Sequence, residues 1–525
     1  MFLFAAFLLR GIFLNLALPY GDPLDEIFHF GYAVFLETTG HPPAASEISM
    51  PEELLRPLRF LPRSTSFPGP KVSWSEASRW TSGERERLWR EAFPLRSSKR
   101  PVFVTTNYES QQPPLFYLGA ALLLRALKEI PLETRLLILR LAATLVAALT
   151  VPIAHAFFRR FLPRQGALLA TAAWAAFPGV GSFVGRFSND ALALPIVAAL
   201  LLLFAETAAG RLSWKGAALL AALLAVGCWT KLYVLLLVPT APLAGLLAPA
   251  HRRRVVLLRA LAACAVALLL LSPWMLRQRV DTGDWLGLAA SKQAPSLGVS
   301  LLDRVQSLGS LFTLRFWIVF GRTFLWPGTW SAMGAPASLA VLLAVAVTLV
   351  FLCPILRRAR PSSSRGRMAR GPAAAVVLFV AGQILYAGTY AAVARVRNHA
   401  PSAGPDGWYL LALFPASLTL GCVTGGRIRG SILLTVVSIF FLCEWALTLG
   451  VLPAVYAGWT SANGANAPIG AWASMLGSPL LALGTYAHVG LARAPLFFLA
   501  AILAAQLLAL VAGVLWALRR HPRGP

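Results

Sequence analysis

The chain opens MFLFAAFLLRGIFLNLALPYGDPLDEIFHF (residues 1–30). Its first twenty residues are apolar apart from Arg10 and Asn15. A helix of ~20 such residues crosses the ~30 Å of a bilayer's hydrocarbon. The stretch lacks a basic leader, carries Arg10 in mid-run and shows no small-x-small cleavage site, so it reads as a retained span rather than a signal peptide. The acidic segment Gly21-Asp22-Pro23-Leu24-Asp25-Glu26-Ile27-Phe28-His29-Phe30 follows at once. A span that delivers carboxylates directly to the membrane edge sets the terms for the rest of the chain.

Further apolar runs lie near 135–158, 165–184, 190–208, 216–228, 230–248, 255–275, 334–356, 372–393, 408–424, 430–450 and 495–518, about twelve in all with the first. Of 525 residues 57% are hydrophobic and 13% charged, about half the ~25% charge of a soluble domain. A soluble enzyme, a disordered chain and a coiled coil are thereby excluded. The five Cys all sit in apolar stretches without a CxxC pair, which speaks against a disulfide framework and a structural zinc site.

The net charge of +26 reads as membrane topology. Cytoplasmic loops collect Lys and Arg. With the N-terminus inside, the inside loops carry Arg159, Arg160 and Arg164; Arg211 and Lys215; Arg252, Arg253, Arg254 and Arg259; Arg357 to Arg370; Arg427 and Arg429; and Arg519, Arg520 and Arg523. More than half of the 21 acids lie instead between residues 22 and 109. Counting the short run 113–127 as a full span would flip most loops, so it is expected to lie at the interface or dip into the membrane. A nucleic-acid partner would need the basic charge gathered on one face, and it is scattered over six loops. The expectation is an all-α polytopic membrane protein, one domain over 1–525, with both termini cytoplasmic in the inner or plasma membrane. Its large first extracytoplasmic loop, 21–134, would carry interfacial helices and the acids. A second such loop would span 276–333.

Several outward-facing groups could carry chemistry. A helix starting near Pro23 would place Asp22, Asp25, Glu26 and His29 on one face. Carboxylates so crowded need a cation, a Lys or Arg partner, or a raised pKa. Asp25, Glu26 and His29 could supply part of a site for a divalent cation, Mg2+ or Mn2+, although three groups from one or two turns rarely complete one. Tyr108-Glu109-Ser110-Gln111-Gln112-Pro113-Pro114 ends a polar strip at a helix start. In Gly185-Arg186-Phe187-Ser188-Asn189-Asp190, Arg186 and Asp190 are spaced to pair, and Asp190 can equally serve as an acidic helix N-terminus. Lys231, between two short spans, could be a phosphate partner or a Lys reaching for the interface. Arg277 follows Pro273-Trp274. Glu444 lies inside an apolar run, where an acid is either functional or paired.

The order of these motifs resembles the type C (GT-C) membrane glycosyltransferases, which include the protein O-mannosyltransferases and the aminoarabinose lipid A transferases. A first span is followed by Asp25-Glu26 with His29, then Gly40-His41-Pro42, Gln112-Pro113-Pro114-Leu115-Phe116-Tyr117, Arg140-Leu141, Asn189-Asp190, Thr230-Lys231 and Gly407-Trp408-Tyr409-Leu410. Trp408 departs from the Arg of the related late motif, and 43–105 aligns with nothing. The resemblance implies a GT-C-like bundle. It also implies transfer of a hexosyl or pentosyl unit from a polyprenyl-phosphate-linked donor to a hydroxyl of a glycan, lipid or protein, with inversion, on the extracytoplasmic side. Asp25 would be the general base, with Glu26 as its support or a metal ligand. His29, Glu109, Gln112, Arg186, Asp190, Lys231, Arg277 and Tyr409 would hold substrate or phosphate. Membrane lipids are the other expected partners, and nucleic acid is not one. The alternative is a 12-helix transporter or lipid flippase with Glu444 as a coupling site. The large acidic first loop and the lack of a visible internal repeat favour the transferase.

Overall fold

The structure is a computed structural model. It describes residues 1–62, 72–94, 101–283, 285–286, 314–326, 328–329, 336, 338–342, 430–459 and 469–519. The runs 372–393 and 408–424, most of 334–356, and Tyr409 lie outside the described residues, so the expected count of about twelve spans is neither reached nor refuted.

The described residues are mostly helical. Five helices are long and apolar enough to cross a membrane: Leu132–Phe158, Asp190–Ala208, Ala250–Thr282, Leu433–Tyr456 and Leu496–Leu518. A bent pair, Arg164–Ala175 and Pro178–Val184, with a 61° angle, forms either a broken span or a re-entrant loop. The first helix is shorter than its apolar run. It covers Phe2–Ala17, packs along the last helix, and ends where Leu18 turns extended. Leu115–Ala126 is a short apolar helix after the Pro113-Pro114 step, which matches its expected brevity.

The bend has an identifiable cause. Pro178 begins the second piece and cannot donate a backbone hydrogen bond to the preceding turn. The Arg10 guanidinium sits against the break. It donates to the carbonyls of Ala175 (2.6 Å), Phe177 (3.0 Å) and Pro178 (3.3 Å). The same guanidinium pairs with Glu444, 434 residues away, at 2.8 and 2.7 Å. A Cβ on Gly181 would collide with the Arg10 guanidinium, so glycine lets the two approach there. The acid inside the apolar run is therefore the partner of the cation inside the first. Arg10→Leu leaves Glu444 buried and unpaired and should cost about 3–5 kcal/mol. A fall in thermal unfolding temperature in detergent, smaller for Glu444→Gln, checks this.

The first loop is folded onto the bundle. Ile48–Pro51 pairs antiparallel with Phe103–Thr106, a small two-stranded ribbon among described residues that are mostly helical. Helix Ser82–Ala92 starts with a capping box between Thr81 and Glu84. Glu86 of this helix pairs with Arg493 at 2.8 Å, and that guanidinium stacks over Trp89 at 5.0 Å. Buried Trp74 packs on Tyr456 at 4.7 Å. The aromatic residues of the loop thus anchor it to the C-terminal helices.

Candidate functional site

The acidic segment does not form the helix expected from Pro23. Helix Glu26–Thr39 begins three residues later, and Asp25 is its N-cap in the left-handed region, φ 61°. The four titratable groups consequently diverge instead of sharing a face. Asp22 accepts from the Tyr456 hydroxyl at 2.6 Å. Glu26 turns into the bundle and His29 turns towards Tyr117.

Glu26 is fully buried in a bidentate pair with Arg140 of helix Leu132–Ala148, at 2.7 and 2.6 Å. Its Oε1 also accepts the Phe187 N–H at 2.9 Å. Both oxygens are engaged, so Glu26 is not available as a metal ligand alongside Asp25 and His29. Among the described residues no group of three or more His, Cys, Asp or Glu could hold a metal ion. These residues do not fit the expected cation site.

The remaining candidates converge. The strip 107–112 is fastened to the start of helix Glu26–Thr39 by Asn107, whose amide donates to the Phe28 carbonyl at 2.7 Å. This sets Tyr108 to hydrogen-bond the Asp25 carboxylate and turns Glu109 inward, buried. Gln112 Oε1 accepts from Asn189 Nδ2 at 3.4 Å, and Asn189 also donates to the Thr230 carbonyl at 3.1 Å. Asp190 lies next to Asn189 and is held by Lys231 at 2.7 Å and Arg186 at 3.1 Å. Ser188 and Tyr233 hydroxyls complete its shell. Arg186 further donates to the Leu24 carbonyl at 3.0 Å, so one cation touches both the Asp190 cluster and the turn that carries Asp25.

The electrostatics follow from this packing. Burial pushes the Asp25 carboxyl up; the Tyr108 hydrogen bond and the charges of Arg186 and Lys231 oppose it, while Asp190 adds to it. Burial, then the Asp25 charge, pushes Glu109 up to about 8, against Lys231 and Arg186. Glu109 Oε2 has no hydrogen-bond partner among the described residues and stands 3.8 Å from His29 Nδ1. Burial, with Lys231 and Arg186, lowers His29, which is therefore neutral near pH 7. His29 Nδ1 lies 2.7 Å from the Tyr117 hydroxyl. The cluster thus sets the Asp25 carboxyl beside a protonated Glu109 and an ion-paired Asp190, with two cations close by.

A pH dependence of stability follows. The folded state binds the Glu109 proton more tightly than the unfolded chain does. Glu109 therefore costs stability as pH rises from the usual Glu range, ~4.3, towards about 8. Glu109→Gln removes that cost. Its unfolding temperature should exceed that of the wild type at pH 8–9 and approach it near pH 5.

Arg277 stands apart from these contacts. It pairs with Asp281 at 3.2 Å and donates to the Pro42 carbonyl at 2.7 Å, clamping the first loop to helix Ala250–Thr282. Tyr409 lies outside the described residues. Sequence reasoning did not single out Tyr108, Tyr117 and Tyr233, although the first two stand inside quoted motifs and the third lies two residues after Lys231. A hydroxyl on an otherwise apolar ring beside an acid was the available signal.

Residues 112–276, less than half of the chain, match the family model described as dolichyl-phosphate-mannose-protein mannosyltransferase. A comparison with curated proteins finds no match. Among solved structures, ArnT from Cupriavidus metallidurans bound to undecaprenyl phosphate is 14% identical, covering 81% of this chain and 77% of that one, with a TM-score of 0.35. The oligosaccharyltransferase of Archaeoglobus fulgidus, in complex with Zn and sulfate, is 10% identical, covering 84% of this chain and 52% of that one, with a TM-score of 0.39. The chain thus spans about half of that enzyme. These low scores leave the family match as the comparison that bears on the site: it takes in Gln112, Arg140, Arg186, Asp190 and Lys231, while Asp25, Glu26, His29 and Glu109 lie before it. The chain is an integral, mostly helical membrane protein that resembles the GT-C glycosyltransferases, and its residues 112–276 match the family model described as dolichyl-phosphate-mannose-protein mannosyltransferase.

Proposed function

We propose that the chain is a glycosyltransferase that moves a sugar from a polyprenyl-phosphate donor to an acceptor hydroxyl, on the extracytoplasmic face of the cell membrane, with Asp25 as general base. The observation that carries this reading is one cluster holding a partly exposed carboxylate and two buried or nearly buried cations. The cations lie within the family-matched segment.

The reaction needs two charges managed at once. The acceptor oxygen attacks the anomeric carbon and its proton passes to Asp25. The bond from that carbon to the phosphate oxygen breaks, and the electron pair leaves with the lipid phosphate. A base serves the first event and positive charge the second. Lys231 and Arg186 supply that charge. Asp190 alone is paired between them, so the trio keeps one net positive charge for an incoming phosphate. Asp25 suits the role of base better than Glu109, because Asp25 is partly exposed and Glu109 is buried and protonated. No step is routed through a metal, since no group among the described residues forms a site for one.

The transporter alternative drew on Glu444 as a coupling site. Its pairing with Arg10 across the bundle gives that residue a packing role instead. The test is donor consumption. Purified protein in lipid receives a panel of labelled polyprenyl-phosphate sugars with candidate acceptors, and free polyprenyl phosphate is measured. Consumption of one donor supports the reading. Failure to consume or bind any donor counts against it.

A further inference from the structure

Asp25 holds a left-handed backbone conformation, which Asp and Asn adopt more readily than other non-glycine residues but still at a cost. A left-handed non-glycine residue costs of order 1 kcal/mol or more and persists only where its surroundings over-determine it. Here they do. Gly21, also at positive φ (70°), opens the turn. Asp22 is held by Tyr456, the Leu24 carbonyl by Arg186, and Glu26 by Arg140 and the Phe187 N–H.

Arg140 is the centre of this arrangement. A guanidinium has five N–H donors in a rigid fork. All five are used. Two go to Glu26, and three go to the carbonyls of Asn15 (3.1 Å), Leu18 (2.9 Å) and Pro19 (3.0 Å) at the end of the first helix. Those carbonyls lack intrahelical partners and carry the negative end of the helix dipole. One fully buried side chain therefore fixes both the residues before the turn and the residue after it. No donor remains for a substrate.

We propose that Glu26 and Arg140 are a positioning pair that holds Asp25 in its left-handed conformation and so aims the base. This deepens the proposed function and rests on Asp25 being that base. Glu26 then affects the reaction only through Asp25, in contrast to the catalytic or metal-binding role its place beside Asp25 suggests in the sequence.

Two measurements test the pair. The first is kinetic. Glu26→Gln keeps an acceptor for the Phe187 N–H but loses the ion pair. It should lower kcat by about 10- to 100-fold, as a misaimed group does. The donor KM should stay within about twofold, because Lys231 and Arg186 still meet the phosphate. Donor-binding stoichiometry, measured alongside, separates this from loss of folded protein. The second is independent of activity. Asp25→Gly relieves the positive φ and Asp25→Ala does not, so the Gly variant should melt about 2 °C higher or more. The gap should shrink when Glu26→Gln is added, since a released turn relaxes. Equal melting of the Gly and Ala variants, or full kcat in Glu26→Gln, would overturn the proposal. If the wild type transfers no sugar, the functional reading falls while the melting comparison still decides whether the pair holds the turn.

Discussion

Asp25→Asn should lower kcat for sugar transfer by about 10²–10⁴-fold, the range that a positioned general base supplies. The donor KM should change little, because the variant removes a proton acceptor and no phosphate contact. The protein itself should fold at least as well as the wild type. Asn tolerates the left-handed region that Asp25 occupies at φ 61°. It also brings no charge into a site whose burial already pushes the Asp25 carboxyl up. The combination of lost turnover with retained donor binding and an unchanged or higher unfolding temperature is specific to this residue. Turnover within a few fold of the wild type would remove Asp25 as the base. In that event Glu109 would remain, and Glu26 and Asp190 would not, because both oxygens of each are engaged.

Lys231→Ala carries the second large effect. Its ammonium lies 2.7 Å from Asp190 Oδ1 and 5.6 Å over the Tyr233 ring, with its side chain 12% exposed. Removing it turns a trio with one net positive charge into a neutral Arg186–Asp190 pair. Loss of one group that stabilises the leaving charge costs about 10²–10³-fold in rate. Here kcat/KM should fall by at least that much, since the phosphate is charged in the ground state as well. Lys231→Arg should recover part of the loss, and Asp190→Asn should weaken the reaction less than Lys231→Ala. The fold should tolerate the change, because Asp190 keeps Arg186, Ser188 and Tyr233. A kcat/KM in Lys231→Ala close to the wild type would show that the phosphate goes elsewhere.

The charged residues of the cluster were legible in the sequence; its tyrosines and most of its connections were not. Hydropathy and the sidedness of Lys and Arg marked the spans and set Asp25, Glu109, Asp190 and Lys231 near the same ends of them. The pairing of Arg186 with Asp190 followed from their spacing, because four residues on a helix are neighbours. Arg140 and Glu26 are 114 residues apart, and Arg10 and Glu444 are 434 apart. No local pattern reports contacts over such separations. Glu26 therefore looked like a second acid beside Asp25, although it is the counter-ion of a buried guanidinium. The left-handed backbone at Asp25 was equally hidden. An i, i+3, i+4, i+7 spacing suits one helical face, and the sign of one φ angle is enough to scatter it. The break before Pro178 had a local signal, proline in an apolar run. Its partner, Arg10, lies in another helix.

The most direct test of the central claim is the fate of the donor lipid in proteoliposomes. A polyprenyl-phosphate sugar labelled in the sugar is supplied with acceptor. The label is then followed as intact donor on either leaflet, or as transferred sugar together with free polyprenyl phosphate. The account predicts that the label leaves the lipid, one polyprenyl phosphate appearing for each sugar transferred, and that Asp25→Asn stops both. Donor that crosses the bilayer uncleaved, at equal rates in wild type and Asp25→Asn, would contradict it and identify a flippase instead.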